Sequence, residues 1–439
     1  MDSEIRRRGN PGVQTLIPEL SGRAAGVGAP TCHSMHITAS AHQMSFEEAL
    51  EAASRGPVLA EAARVLIRAR EGPETDQLMK MAAGLRDRFK GRIISYSKKV
   101  FIPLTNLCRD YCGYCTFRKD PNQSGAHTMT PEEVLEVAEA GARLGCKEAL
   151  FSLGDRPEAV FPEMRETLKS LGHRTTLSYL TRMCERVLDE TGLLPHANPG
   201  LMARADIETL RPFSPSMGLM LENTSDRFAR TGMAHDNAPD KVPELRLRTM
   251  EEAGRQRVPF TTGILIGIGE TLDERVDSLE AIRLVQEEYG HIQEVIIQNF
   301  RVKREIPMRD HPEPSLADHC RTIAVTRLML PEMNVQAPPN LSDDHYPFLI
   351  RAGINDWGGI SPLTRDFINP EKPWPHIEEL AARTAGEGYE LKERLSVYPE
   401  FTIRDGYLDT GVASRIRALT DDFGYPRITR ITRMEDKKK

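Results

Sequence analysis

Three cysteines fall within eight residues, in the run Leu107-Cys108-Arg-Asp-Tyr-Cys112-Gly-Tyr-Cys115. Thiolates are the usual ligands of iron–sulfur clusters, and a four-iron cluster normally takes four. Only three are local here. The spacing C-x3-C-x2-C therefore predicts a cluster with one iron open to a substrate or cofactor. Two other readings stand beside it. The three thiols can be unrelated to any ligand. A structural zinc ion would need a fourth ligand such as His127, and such sites favour paired spacings. Cys146, Cys184 and Cys320 sit in helical surroundings and read as small buried hydrophobes.

The cysteine run directly follows a β-prone stretch at 100–106. Further β-prone runs occur at 148–152, 175–179, 193–197, 217–222, 260–266, 294–300 and 334–337, separated by amphipathic stretches. One of these begins Thr130-Pro131-Glu132-Glu133, with an N-cap, a proline at N1 and acids in the first turn. Eight β/α alternations predict an α/β fold with a parallel sheet, and the count suggests a closed (βα)8 barrel. A doubly wound open sheet is the rival on periodicity alone. In a barrel, the cysteines would stand at the C-terminal mouth, where such folds place their chemistry.

The expected organisation is a disordered tail over 1–45, a helical lead-in over 46–91, the barrel over 92–339, and a C-terminal cap and tail over 340–439. The chain has 439 residues and 58 basic against 64 acidic side chains, a net charge of −6. That balance argues against a generally basic nucleic-acid surface. Seven sparse cysteines make no disulfide framework. The first 45 residues show no secretory apolar stretch, and the apolar run at 263–269 is far shorter than the ~20 residues of a membrane span. The expected location is cytoplasmic, without a membrane or nucleic-acid partner.

The C-x3-C-x2-C spacing with an aromatic, Tyr114, before the third cysteine resembles the radical S-adenosyl-L-methionine (SAM) superfamily. Gly263-Ile-Leu-Ile-Gly267-Ile-Gly269-Glu270 resembles that superfamily's G-x-I-x-G-x-x-E pattern, with Leu265 in place of an isoleucine. Ser152-Leu-Gly154-Asp155-Arg-Pro-Glu158 stands where a Gly-Gly-Glu turn is usual. The resemblance implies that Cys108, Cys112 and Cys115 hold a 4Fe-4S cluster. SAM would occupy the fourth iron, with Tyr114 and Gly267–Glu270 near its adenine. The turn at Gly154 and Asp155 would receive the SAM amine, although the departure from Gly-Gly-Glu leaves Asp155 and Glu158 without a fixed role. On the residues alone, Gly267 to Glu270 also reads as a tight strand-to-helix turn.

The segments CRDYCGYCTFRKDP (108–121), MLENTSDRF (220–228) and IIQNFRVK (296–303), with residues 354–375, are similar to the cyclising subunit 1 family of 7,8-didemethyl-8-hydroxy-5-deazariboflavin synthases. The likeness covers about residues 92–395. It implies a lyase in coenzyme F420 biosynthesis. Its substrate would be 5-amino-5-(4-hydroxybenzyl)-6-(D-ribitylimino)-5,6-dihydrouracil, closed into a deazaflavin with loss of ammonia. It further implies a subunit 2 radical SAM partner that supplies this adduct, and an electron donor such as flavodoxin or ferredoxin. Related alternatives are subunit 2-type tyrosine transfer to ribitylaminouracil and a menaquinone futalosine-pathway step. From another class, a non-catalytic metal-binding interaction protein also fits the cysteines alone. Glu222 and Asn223, at a strand's end, are expected at SAM or as capping residues. Gln298 and Asn299 can meet the uracil or ribityl group, or form a rim network. Asn355, Asp356 and Trp357 can close the pocket, or anchor a turn. Tyr111 and His345 read as loop residues.

Overall fold

A computed structural model describes residues 44–427. The tail expected over 1–45, except its last two residues, lies outside the described residues, as do 428–439. Nine parallel strands form one sheet: β1 (Ile93–Thr105), β2 (Glu148–Leu153), β3 (Leu194–Asn198), β4 (Ser216–Gly218), β5 (Phe260–Ile266), β6 (Ile292–Asn299), β7 (Val335–Gln336), β8 (Asp356–Ile360) and β9 (Glu390–Arg394). β1 to β8 follow one another around a ring that closes where β8 and β2 both pair with β1. β9 adds beside the first half of β1. The barrel is closed, and helices such as Pro131–Arg143, Leu272–Tyr289 and Leu316–Met329 pack on its outside. Thr130 caps the first of these, accepting a hydrogen bond from the Glu133 N–H.

Two strands differ from expectation. The run 175–179 begins a helix, Thr176–Thr191, not a strand. Thr175 and Ser178 exchange capping hydrogen bonds, and Tyr179, Leu180, Met183, Cys184 and Val187 make one buried helical face. Capping and a 3.6-residue period override the β-prone composition there. The eighth barrel strand is 356–360, beyond residue 339 and inside the region read as a cap. Its Gly358-Gly359 pair hides it from propensity. The glycines are needed for space. A Cβ on Gly358 would stand 1.9 Å from Gln336 Nε2, and one on Gly359 2.4 Å from Lys99 Cε.

The helices at 46–90 lie on the outer ring, with Arg68 paired to Asp273 at 2.6 Å. Beyond β8 the chain serves both ends of the barrel. Residues 366–374 reach over the mouth, whereas β9 and the helix Thr410–Leu419 lie at the opposite end. There Leu395, Val397, Tyr398, Phe401, Tyr407 and Ile416 form their own apolar cluster with Leu188 and Leu194.

Inside the barrel, strand register stacks the inward residues in tiers. The lowest tier is charged. Lys99 Nζ bonds Glu148 Oε1 at 2.6 Å, and Arg394 reaches Asp356 at 2.7 Å and Glu294 at 3.0 Å. All five of these side chains are buried. The next tier comprises Phe101, Leu150, His196, Ile296 and Gln336; above it stand Ser152, Asn198, Leu265 and Gln298.

Removing one partner of a buried ion pair strands the other charge. Arg394→Met is therefore expected to lower the unfolding free energy by about 3 kcal/mol or more. Chemical denaturation checks this, and an unchanged midpoint would contradict the role given to Arg394. Burial also pushes the imidazoles of His196 and His319 down to about 4, against roughly 6.5 in an unfolded chain. Between those values the unfolded state binds protons that the folded state does not. The contribution of these two histidines is thus complete above about pH 6.5 and is lost as the pH drops toward 4. The denaturation midpoint should be lower at pH 5 than at pH 7; equal midpoints would refute this.

Candidate active site

β1 delivers its chain into the loop that holds Cys108, Cys112 and Cys115, all three partly exposed. The loop is tied on several sides. The Asp155 N–H donates to Cys108 Sγ at 3.2 Å, and the Asp110 N–H at 3.4 Å. The Arg109 N–H donates to the Asp155 carbonyl, Tyr111 N–H to Asn237 O, and Gly113 N–H to Ala234 O at 2.8 Å. The Met308 N–H in turn donates to Gly113 O at 3.1 Å. Arg109 also forks onto the buried Asp240 carboxylate. The cysteine loop is thus clamped between the end of β2 and the segments 234–240 and 306–311.

Gly154 permits the closest of these approaches. A Cβ there would stand 1.9 Å from Leu107 O and 2.6 Å from Cys108 Cβ. The next residue, Asp155, is buried. Its Oδ2 accepts from the Leu201 N–H at 3.0 Å, while its Oδ1 accepts no hydrogen bond and lies 3.8 Å from Arg156 Nε. Burial first, then Asp240, pushes this carboxyl up to about 7.

One cavity of about 350 Å³ joins these groups. The cysteines, Tyr114, Gly154, Asp155, Glu222 and Lys241 make one wall. Glu222 is held in left-handed backbone (φ 65°) and its Oε1 takes the Lys241 ammonium at 2.7 Å. Tyr114 is buried, with its hydroxyl 3.2 Å from His235 Nε2. Burial pushes His235 down to about 2, so its imidazole is neutral. The opposite wall is aromatic and polar. Phe101 and Trp374 stack at 5.2 Å with planes 6° apart, beside Phe117, Asn198, Gln298, Lys303 and Asp366.

The residues fit a cluster with three protein ligands. Backbone N–H groups aimed at Cys108 Sγ are the kind of hydrogen bond that tunes metal-bound sulfur. Burial pushes Cys108 well above the usual thiol range and Cys112 up to about 12, so both become thiolates only when a cation replaces the proton. A single zinc ion fits less well. Three sulfurs on one zinc, with ~2.3 Å bonds, crowd to within about 4 Å of one another. Here the three do not gather within 4.8 Å. His127 Nε2 instead pairs with Glu133 at 3.0 Å, in a separate outer groove.

Of the residues expected at the cofactor, the cavity collects Tyr114, Gly154, Asp155 and Glu222. It does not collect Asn223, Gly267 or Glu270. Asn223 Oδ1 accepts from the Ser225 N–H and closes a turn. Glu270 is buried beneath the turn after β5, accepting from the Gly267 and Ile268 N–H groups at 2.7 and 2.8 Å and pairing with Arg275. Those two residues are the strand-to-helix turn; from that motif Leu265 faces the cavity. Gln298 and Asn299 line it, whereas Asn355, Asp356, Trp357 and His345 do not. Trp357 faces outward, its Nε1–H donating to Thr384. Glu158 caps Thr176. Tyr111 is exposed beneath the Arg118 guanidinium. Cys146, Cys184 and Cys320 are buried apart from the loop. Lys241, His235, Lys303 and Asp366 were not anticipated, because they come from loops with no local pattern. Asn198, at the C-terminal end of β3, was findable from its position.

Known proteins extend this picture. Residues 102–282 match the model of the Radical SAM superfamily. The chain is 49% identical over 335 residues to the 7,8-didemethyl-8-hydroxy-5-deazariboflavin synthase of Methanopyrus kandleri, covering 76% of this chain and all of that relative. It is 50% identical over 390 residues to the FO synthase of Streptomyces coelicolor, covering 86% of this chain but 45% of that relative, so it spans less than half of such longer proteins. The fold resembles that of the FeFe-hydrogenase maturase HydG from Carboxydothermus hydrogenoformans, with a TM-score of 0.64 at 17% identity, over 80% of this chain and 79% of that one. The chain belongs to the radical SAM superfamily and, within it, to the family of 7,8-didemethyl-8-hydroxy-5-deazariboflavin synthases.

Proposed function

We propose that this radical SAM enzyme of deazaflavin biosynthesis performs the ring closure, acting as an ammonia-releasing lyase on 5-amino-5-(4-hydroxybenzyl)-6-(D-ribitylimino)-5,6-dihydrouracil. The observation that carries the reading is 49% identity across the whole length of a relative that bears the synthase name. Cys108, Cys112 and Cys115 would hold the four-iron cluster, leaving one iron for SAM. When bound, cluster and SAM supply one-electron cleavage of the sulfonium and a 5′-deoxyadenosyl radical.

The chain's own residues orient and shield. Asp155 Oδ1, buried and accepting no hydrogen bond, is placed to accept from the SAM amine. Glu222 and Lys241 present a paired charge to its polar end, and Tyr114, braced by His235, presents an aromatic edge. Across the cavity, the Phe101–Trp374 pair and Phe117 offer flat apolar surface to the adduct's rings. Lys303 Nζ and the Asp366 carboxylate can hold a proton near a departing amine. Residues 366–374 close over the mouth and keep bulk water from a reactive intermediate. The adduct would come from a subunit 2-type enzyme. The electron would come from an acidic carrier such as flavodoxin or ferredoxin, for which Lys119, Arg304 and Arg365 on the groove beside the cysteine loop supply local positive charge. That redox chemistry suits the cytoplasm.

Anaerobic enzyme with SAM, a reductant and the adduct should yield fluorescent deazaflavin, ammonia and 5′-deoxyadenosine. Transfer of tyrosine to ribitylaminouracil instead would overturn the reading. Cys112→Ala should lose both iron and turnover. Gly154→Ala should lose most of its iron while remaining folded, because the new methyl displaces the Leu107–Cys108 backbone. Iron content and circular dichroism check the latter, and full iron loading would show that the close approach is not required.

A further inference from the structure

The active cavity has a lower floor. A second chamber of about 130 Å³ lies inside the barrel and shares Phe101, Leu150, Asn198, Ile296, Pro338 and Trp374 with the cavity above it. The two are stacked along the barrel, with the Phe101–Trp374 pair at their junction. Polar groups stand among the apolar walls of the lower chamber. Gln336 and Ser396 line it, 5% and 1% exposed, and Gln336 Oε1 and Ser396 Oγ have no hydrogen-bond partner. His196 also lines it, fixed by its Nδ1 at 2.7 Å from Ser216 Oγ. Lys99 and Glu148, and Arg394 and Glu294, lie at its base as pairs.

The chamber is built, not left over. Gly358 and Gly359 give Gln336 and Lys99 their room, and a Cβ on Gly218 would come within 3.0 Å of His196 Nε2. At the base two cations, Lys99 and Arg394, face three carboxylates, Glu148, Glu294 and Asp356, so an added carboxylate or phosphate would meet surplus negative charge and no spare cation. A hydrocarbon chain would leave Gln336 and Ser396 unpaired, a cost of about 1–3 kcal/mol per group. The chemistry that satisfies polar groups set among apolar walls, without adding charge, is a flexible chain of hydroxyls.

We propose that the lower chamber is the subsite for the substrate's polyol side chain, with Gln336, Ser396 and His196 as its hydrogen-bonding partners and the planar ring resting against Phe101 and Trp374 at the neck. The proposal deepens, and rests on, the ring-closing function given above, whose adduct carries a ribityl chain. Insertion of that chain down the barrel would also fix which face of the ring meets the cysteine wall, a positioning effect that reaction rates depend on strongly.

The test uses the iron-loaded enzyme and two adducts, one with the ribityl chain and one with an n-pentyl chain lacking hydroxyls. The wild-type kcat/KM should fall at least about a hundredfold on the pentyl adduct, since a site made to bind hydroxyls rejects an analogue without them. Gln336→Leu and the milder Ser396→Ala should each raise KM for the ribityl adduct, by roughly tenfold or less per hydrogen bond. Both should narrow the preference between the adducts, with iron absorbance retained as the folding check. Equal turnover of the two adducts by the wild type would overturn the subsite and leave the ring closure standing. So would variants that slow both adducts equally. No turnover of the ribityl adduct would overturn the function, and the subsite with it.

Discussion

Cys108 lies directly beneath the end of β2, and the rest of the site is arranged around that contact. Two backbone N–H groups point at its sulfur, from Asp110 in its own loop and from Asp155 in the turn after β2. Because Gly154 has no side chain, the turn comes close enough to do this. The same turn carries Asp155, whose Oδ1 accepts no hydrogen bond, into the cavity wall. Ligand, hydrogen-bond donor and acceptor thus share one rigid corner, set by the pairing of β1 with β2. Precision of this kind is what a site on barrel strands supplies and a free loop does not.

The barrel interior divides its labour by height. Charged groups fill the lowest tier, where Arg394 from β9 enters from the far end and bonds both Asp356 and Glu294. Apolar and aromatic groups hold the middle, and polar strand ends with the cysteine loop hold the top. The strands can carry charges inward because each charge is paired, and because glycines on β8 leave those side chains room. Among the described residues, β9 and its apolar cluster cover the end of the barrel opposite the mouth.

Much of this was legible in the sequence for reasons of locality. The three cysteines follow a strand directly, so their spacing placed them at the mouth, and the family resemblance added Tyr114 and Gly154. The strands β2, β5 and β6 were legible because apolar and β-branched residues dominate them. β8 was not, because Asp356-Trp-Gly-Gly-Ile trades propensity for space. Residues 175–179 misled because strand-prone residues there make a helix face. Glu270 and Asn223 show the limit of motif reading: each is a polar residue at a strand's end, and each is spent on its own turn. The far wall had no local signal. Trp374 stacks on Phe101, and Asp366 joins Lys303 in the cavity lining, from distant parts of the chain that the fold brings together.

In the proposed enzyme, three thiolates on the β1 loop hold a four-iron cluster with one iron reserved for SAM. Mössbauer spectroscopy of protein loaded with iron-57, recorded with and without SAM, tests it most directly. The predicted result is a four-iron cluster in which one iron of the four changes its spectrum when SAM is added, and which does not assemble in Cys108→Ala. A cluster whose four irons are unaffected by SAM would contradict the account, as would a loop that binds one zinc ion and no iron.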